Sequence, residues 1–205
     1  VELTPAPGVG AHFAGWSGVC TGMATPCSFR MYETSLVTAT FDINSYPLTV
    51  TTTGAGKVLI NPDGTTCSSQ CISQRLHGTI LSLVANTEPG ASFKGWSGAC
   101  TGANPICQVE MNAAKDVVAT FYPNSYPLTV TIDGEGEVTV TPSGGVCKGQ
   151  CTSNYLDGTL VTLEARPKVG SSFAGWTGGC TGNNLVCTIT MKAATSVSAN
   201  FSLNV

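Results

Sequence analysis

Trp16, Trp96 and Trp176 recur at intervals of 80 residues, each inside the phrase Gly-Trp-Ser/Thr-Gly-x-Cys-Thr-Gly. The same offset carries Phe13 onto Phe93 and Phe173, Cys20 onto Cys100 and Cys180, Met31 onto Met111 and Met191, and Phe41 onto Phe121 and Phe201. No insertion or deletion interrupts it. A fixed period makes the chain a tandem array of one small module and confines it to folds that can be built by repetition. Within 205 residues this predicts two complete modules, 46–125 and 126–205, preceded by 1–45, which matches only the second half of a module.

A unit of 80 residues buries limited apolar surface and usually needs reinforcement. Ten cysteines are available for it, two in residues 1–45 and four in each complete module. Even cysteine sets at short, repeated spacings imply disulfides and an oxidising, extracellular setting. Pairing Cys20–Cys27, Cys67–Cys71, Cys100–Cys107, Cys147–Cys151 and Cys180–Cys187 leaves no cysteine orphaned, because residues 1–45 hold only the second pair. Cross-pairing within a module and a four-thiolate zinc site are the alternatives. Loops this short gain roughly 2–2.5 kcal/mol each by the loop-closure estimate, which suggests loop staples rather than determinants of the fold.

The apolar pattern within a module is that of strands. Leu128, Val130 and Ile132 alternate with Thr129, Thr131 and Asp133, and Asp133-Gly-Glu-Gly then reads as a turn leading to a returning arm at Glu137–Thr141. Leu160–Ala165 forms a third strand, Phe173-Ala-Gly-Trp a short bulged one, and Thr188–Met191 with Val197–Phe201 a closing hairpin. Cys147 to Cys151 reads as a tight loop. No stretch holds a helical apolar period beyond one turn. The expected fold is therefore all-β, with five to six strands per module in a small sandwich or partly open barrel. Linkers such as Phe121-Tyr-Pro-Asn-Ser-Tyr-Pro are short and proline-stiffened, which predicts a semi-rigid array.

Comparing the copies separates what the module keeps from what it varies. Besides the residues above, Gly10, Gly15, Gly18, Thr21, Gly22, Ala39 and Asn44 return in all three copies. Phe13, Trp16, Met31 and Phe41 are the expected core, with Phe93, Trp96, Met111 and Phe121, and Phe173, Trp176, Met191 and Phe201, as their counterparts. An exposed tryptophan platform for sugar rings is the rival reading. No position keeps the same sign of charge: Lys57 meets Glu137, Glu88 meets Lys168, Arg30 meets Glu110, and His77 meets Asp157. Catalytic and ligand sites need ionisable groups at fixed geometry, so no enzyme, cofactor or metal site is expected. Asp133, Glu135 and Glu137 are too sparse for a calcium loop and read as a solvated turn. Both histidines, His12 and His77, read as surface residues.

Charged residues make up 10 % of the chain and the net charge is −3, which supplies no basic stripe for nucleic acid. No apolar run approaches the ~20 residues of a membrane span. The order Leu-Thr-Val-x3-Gly-x-Gly-x-Val, Cys-x3-Cys, Gly-Thr-x3-Leu, Gly-x2-Phe-x-Gly-Trp-x-Gly-x-Cys and Met-x2-Ala…Ala-x-Phe resembles the divergent InlB B-repeat family along the whole chain. That resemblance implies a repeat of large secreted or surface proteins of bacteria, acting as spacer, stalk or adhesive segment, and a β-grasp-like fold. It carries over no catalytic residue. The expected role is a non-catalytic, extracellular structural segment, with a carbohydrate- or receptor-binding adhesin as the alternative. The expected partners are further repeats of the same polypeptide or neighbouring identical subunits in a filament, and surface glycans under the adhesin reading. Residues 1–45 lack a first hairpin, so cover for Phe13, Trp16 and Phe41 is expected from an upstream segment or a neighbouring subunit.

Overall fold

The computed structural model describes residues 1–204. Residues 1–45 contain β1 (Glu2–Leu3), β2 (Ala11–Gly18), β3 (Cys27–Ser28) and β4 (Val37–Ile43). The next 80 residues hold β5 (Ser45–Thr53), β6 (Gly56–Asn61), β7 (Thr65–Cys67), β8 (Gln70–Leu76), β9 (Ile80–Thr87), β10 (Ala91–Gly98), β11 (Ile106–Glu110) and β12 (Lys115–Pro123). The last copy repeats them as β13 (Ser125–Asp133), β14 (Gly136–Thr141), β15 (Gly145–Cys147), β16 (Gln150–Leu156), β17 (Leu160–Pro167), β18 (Ser171–Gly178), β19 (Val186–Thr190) and β20 (Thr195–Leu203). By contacts the chain divides into two units, Val1–Thr87 with Phe93–Phe121, and Glu88–Ser92 with the chain from Tyr122 on.

Each complete module is a sandwich of two four-stranded sheets. In the first the order is β10-β12-β5-β8 and β16-β13-β20-β18; in the second it is β11-β9-β6-β7 and β15-β14-β17-β19. Among the described residues each module thus has eight strands rather than the expected five or six. The strands that escaped detection are β7 and β8 and their counterparts β15 and β16. These are edge strands whose Thr, Ser, Cys and Gln residues carry little apolar alternation. No helix occurs among the described residues, and the two-sheet division makes the module a sandwich, not the β-grasp that the resemblance implied.

Two expected hairpins are corrected in the same way. β5 and β6 are consecutive but lie in different sheets, as do β11 and β12, so the chain steps across the core instead of folding back in plane. The first and last strands of a module meet side by side in parallel, from Lys115↔Leu48 to Thr120↔Thr53 and from Leu128↔Thr195 to Asp133↔Asn200. Parallel neighbours need a long connection, and here the rest of the module supplies it.

Alternation places one face of every strand in the core. Leu48 and Val50 from β5, Val58 and Ile60 from β6, Leu81, Leu83 and Ala85 from β9, and Val117, Ala119 and Phe121 from β12 form one buried cluster with Trp96 and Met111. The last copy builds the same cluster from Leu128, Val130, Val138, Val140, Val161, Leu163, Trp176, Met191, Val197 and Phe201. Phe93 and Phe173 pack against these clusters while remaining half-buried. The crossing from β5 to β6 passes directly over Phe121. A Cβ on Gly56 would lie 2.5 Å from the Phe121 ring, and one on Gly136 would lie 2.5 Å from the Phe201 ring. The Gly-x-Gly of the presumed turn is thus a close-packing requirement.

Residues 1–45 depart from this pattern. Trp16 is buried and Phe13 half-buried, but Met31 is 58 % and Phe41 41 % exposed, which corrects their assignment to the core. The cause is visible in the complete modules. Met111 is clasped by backbone bonds with Gly78 and Thr79, and Phe121 by Gly54 and Gly56; residues 1–45 contain no counterpart of these segments. β2 pairs with β4 as a two-stranded sheet, and among the described residues no strand pairs with the edge of β4 that matches the β5 edge of β12.

Gly56→Ala and Gly136→Ala should each lower the unfolding free energy in urea by about 1–3 kcal/mol, the cost of overpacking a filled core. Gly149→Ala, where an added Cβ meets nothing within 4 Å, should be neutral or stabilising by up to about 1 kcal/mol.

Candidate functional site

The repeated phrase around tryptophan builds a loop clamp. Glycine at 15 and 175 marks a bulge, where the register with the neighbouring strand shifts between Phe13 and Gly15 and between Phe173 and Gly175. The bulge turns the backbone so that the N–H groups of Trp16, Trp96 and Trp176 donate to the carbonyls of Gly22, Gly102 and Gly182 at 2.7, 2.8 and 2.7 Å. The indole N–H groups donate to the carbonyls of Ala24, Asn104 and Asn184 at 2.9, 2.8 and 2.8 Å. Gly95 sits at φ +152°, and a Cβ there would lie 2.8 Å from the Gly102 carbonyl oxygen. The tryptophans are 8, 6 and 4 % exposed, packed tilted against Phe13 and edge-on to Phe93 and Phe173 with centroids 5.0–5.2 Å apart. Their faces and their one donor are fully used inside the module. They offer no platform for a sugar.

The clamped loops are also closed by Cys20–Cys27, Cys100–Cys107 and Cys180–Cys187, while Cys67–Cys71 and Cys147–Cys151 bridge the other corner. Short in sequence, these bridges are long in topology. Cys67 lies on β7 at the edge of one sheet and Cys71 on β8 at the edge of the other; Cys100 follows β10 and Cys107 lies on β11, at the opposite pair of edges. Each complete sandwich is therefore stapled sheet to sheet along both open sides, with Cys67, Cys100, Cys147 and Cys180 buried in its core.

Ionisable groups form isolated surface pairs, and comparing copies shows what they replace. Arg75 meets Asp63 at 2.7 Å; at the same two positions of the next module the Tyr155 hydroxyl donates to Ser143 Oγ at 3.0 Å. Hydrogen bonding from the Arg75 guanidinium holds the Asp63 carboxyl below the usual range. Lys168 bonds Glu135 at 2.8 Å, which lowers the Glu135 carboxyl and raises the Lys168 ammonium. Lys148 lies 3.8 Å from Glu137, so the acidic turn at Asp133–Glu137 is partly neutralised by lysines. Among the described residues no group of three or more His, Cys, Asp or Glu side chains is placed to hold a metal ion. A shallow depression beside Trp176 is lined by Gly175, Thr177, Asn183 and Asn200, none of them titratable. Among the described residues no helix is long and apolar enough to cross a membrane.

The two histidines occupy a place that their sequence neighbours did not reveal. His77 is half-buried where residues 1–45 meet the next module, and His12 donates or accepts through Nδ1 at Asn44 Oδ1, 2.8 Å away. The only signal in the sequence was the return of Gly10 and Asn44 in every copy.

The divergent InlB B-repeat domain model matches three consecutive segments, residues 1–45, 46–125 and 126–205. The chain belongs to this family. Its B-repeat segments together account for the whole chain, and no curated protein sequence matches it. Among solved structures it is similar to the Bacillus anthracis TIE protein, at 11 % identity and TM-score 0.44, covering 82 % of this chain and 37 % of that one. It is also similar to a major pilin of Streptococcus pyogenes, at 10 % identity and TM-score 0.37, over 78 % of this chain and 97 % of the pilin. A minor pilin of Streptococcus agalactiae gives 9 % identity and TM-score 0.29 over 78 and 97 %.

Trp96→Phe removes the donor to Asn104 and leaves part of the buried indole volume empty, so the 46–125 module should lose at least about 1–3 kcal/mol in urea unfolding, with faster amide exchange at residue 96. In a carboxyl NMR titration Glu135 should titrate below an ordinary glutamate, and Lys168→Ala or ~1 M salt should return it to the usual range. A lowered carboxylate stabilises above its unfolded range and loses that contribution as pH falls through the folded value. Because this pair lies exposed on the surface, no acid-induced change in global stability is expected from it.

Proposed function

We propose that this B-repeat segment is a non-catalytic structural part of an extracellular bacterial surface protein, a stalk or filament that holds other parts of the molecule away from the cell. The observation that carries the reading is the exchange of Arg75–Asp63 for Tyr155–Ser143: the contact is retained while its charge is discarded. A module selected for chemistry keeps its ionisable groups and varies its packing; this one does the reverse. The invariant residues serve the core, the tight crossings, the tryptophan clamp and the sheet-to-sheet staples. Ten cysteines, all bridged, suit an oxidising extracellular setting.

Further B-repeats are the natural partners, arranged head-to-tail in sequence or between subunits. An adhesin reading would have to rest on exposed aromatics such as Tyr32 and Tyr122, 84 and 50 % exposed, and neither recurs in the other copies.

The test is to place the chain between a wall anchor and a reporter domain on a bacterial surface. Inserting extra copies of residues 46–125 should move the reporter outward by a constant step per copy, and neutralising the surface ion pairs should leave that step unchanged. Specific retention of the folded chain on a glycan array, lost in Tyr32→Ala and Tyr122→Ala, would favour the adhesin instead.

A further inference from the structure

In each complete module the first strand and the last are neighbours in one sheet and run the same way. The register joins six residues of each, Leu48 to Thr53 of β5 with Lys115 to Thr120 of β12, and Leu128 to Asp133 of β13 with Thr195 to Asn200 of β20. The chain enters the module at the start of β5 and leaves it at the end of β12. In a parallel pair those two points lie at opposite ends of the ladder. They are offset by roughly 35 Å along the strands and by only about 4.8 Å across them. Tension on the chain is therefore directed along the pair: it draws β5 backwards past β12 and loads all the bonds between them together. An antiparallel first and last pair would put entry and exit side by side, and the same tension would open its bonds one after another.

The surroundings of the pair add to this resistance. In the sheet orders β10-β12-β5-β8 and β16-β13-β20-β18 the pair is central, with a further strand on each side, so neither member can be lifted from an open edge. Leu48 and Val50 of β5, and Val117 and Ala119 of β12, are buried on the core face. Across the pair Thr53 Oγ1 donates to the Ala119 carbonyl at 3.3 Å. At the exit Phe121 is wedged under the crossing from β5 to β6: Gly54 packs on its carbonyl and Gly56 on its ring, and neither leaves room for a Cβ. Gly134 and Gly136 hold Phe201 in the same way. For β12 to slide outward, its ring must be withdrawn from beneath those glycines. The disulfides stand off the load path, because Cys67–Cys71 and Cys100–Cys107 join parts of the chain that take no tension until the pair has parted.

We propose that the parallel pair is a mechanical clamp, and that each complete module is a load-bearing link that keeps its folded length under tension until the ladder fails as one. Forced unfolding is governed by the barrier to leaving the folded state rather than by equilibrium stability. The direction of load therefore decides the strength of the link. Its use rests on the stalk reading, since a stalk on a cell surface transmits drag to its anchor. A weak module still moves a reporter outward by its folded length, so the reporter step and the rupture force test separate things.

Single-molecule pulling on the full, disulfide-bonded chain tests the clamp. Handles at the two chain ends load modules 46–125 and 126–205 both in shear. Moving the second handle to Ala194→Cys loads module 126–205 between Ser125 and residue 194, at the same end of the β13–β20 pair, while 46–125 stays in shear as an internal reference. Ala194 is exposed in the turn before β20, and the native cysteines are all bridged, so the new thiol is a unique point of attachment.

Rupture of a complete module should release about 20 nm of chain, against about 12 nm or less from residues 1–45. With end handles two such ruptures should occur at similar force. With the Ala194→Cys handle one of them should fall severalfold in force and the other should not move. The variant pulled by its ends should match the original chain, so that the loss belongs to the direction of load. Equal forces for the two modules in the second geometry would overturn the proposal. So would yielding of the complete modules in fragments, rather than in whole steps, when the chain is pulled by its ends.

Discussion

Everything in the module depends on the parallel pairing of its first strand with its last, β5 with β12 and β13 with β20. That pair sits in the middle of the sheet that carries the tryptophan strand, and it brings the Gly-x-Gly crossing over the phenylalanine near the end of β12 or β20. Where the pair is formed, Met111, Phe121, Met191 and Phe201 are buried. In residues 1–45, where β4 has no parallel neighbour among the described residues, Met31 and Phe41 lie open although both residues are unchanged. Identical side chains have different fates because burial belongs to the closed module, not to the residue.

Around that pair the sandwich is secured at its edges. A small two-sheet fold has four exposed edge strands and little core to resist their separation. Disulfides between β7 and β8, and between the ends of β10 and β11, tie the two sheets at both sides, while the indole N–H secures the longer cysteine loop from within. Bridges only four and seven residues apart in sequence therefore restrain the whole sandwich. The tryptophan's polar edge serves that loop and its aromatic face serves the core, which leaves neither for a ligand.

The polar contacts obey a different rule, including that of Tyr155, which is buried in the core cluster. Arg75 with Asp63, Tyr155 with Ser143, and the closures of Gly10 by His77 and of Gly90 by Asp157 are alternative chemical solutions to the same geometric requirements. The charge of the closing side chains changes between copies while the backbone frame persists.

The sequence by itself determined the period, the β class, the bulge at Phe-x-Gly-Trp and the division between retained apolar residues and drifting charges, because each is written in local composition or in self-comparison. It could not show which strands share a sheet. The apparent hairpins β5–β6 and β11–β12 are local patterns that look the same whether the chain folds back in plane or steps across the core; only packing on Phe121 decides between them. Edge strands β7 and β8 lack the alternation that would announce them, since one of their faces meets water. His77 is separated from Gly10 by most of the intervening chain and meets it only after both repeats have folded, so its environment is a property of tertiary structure alone.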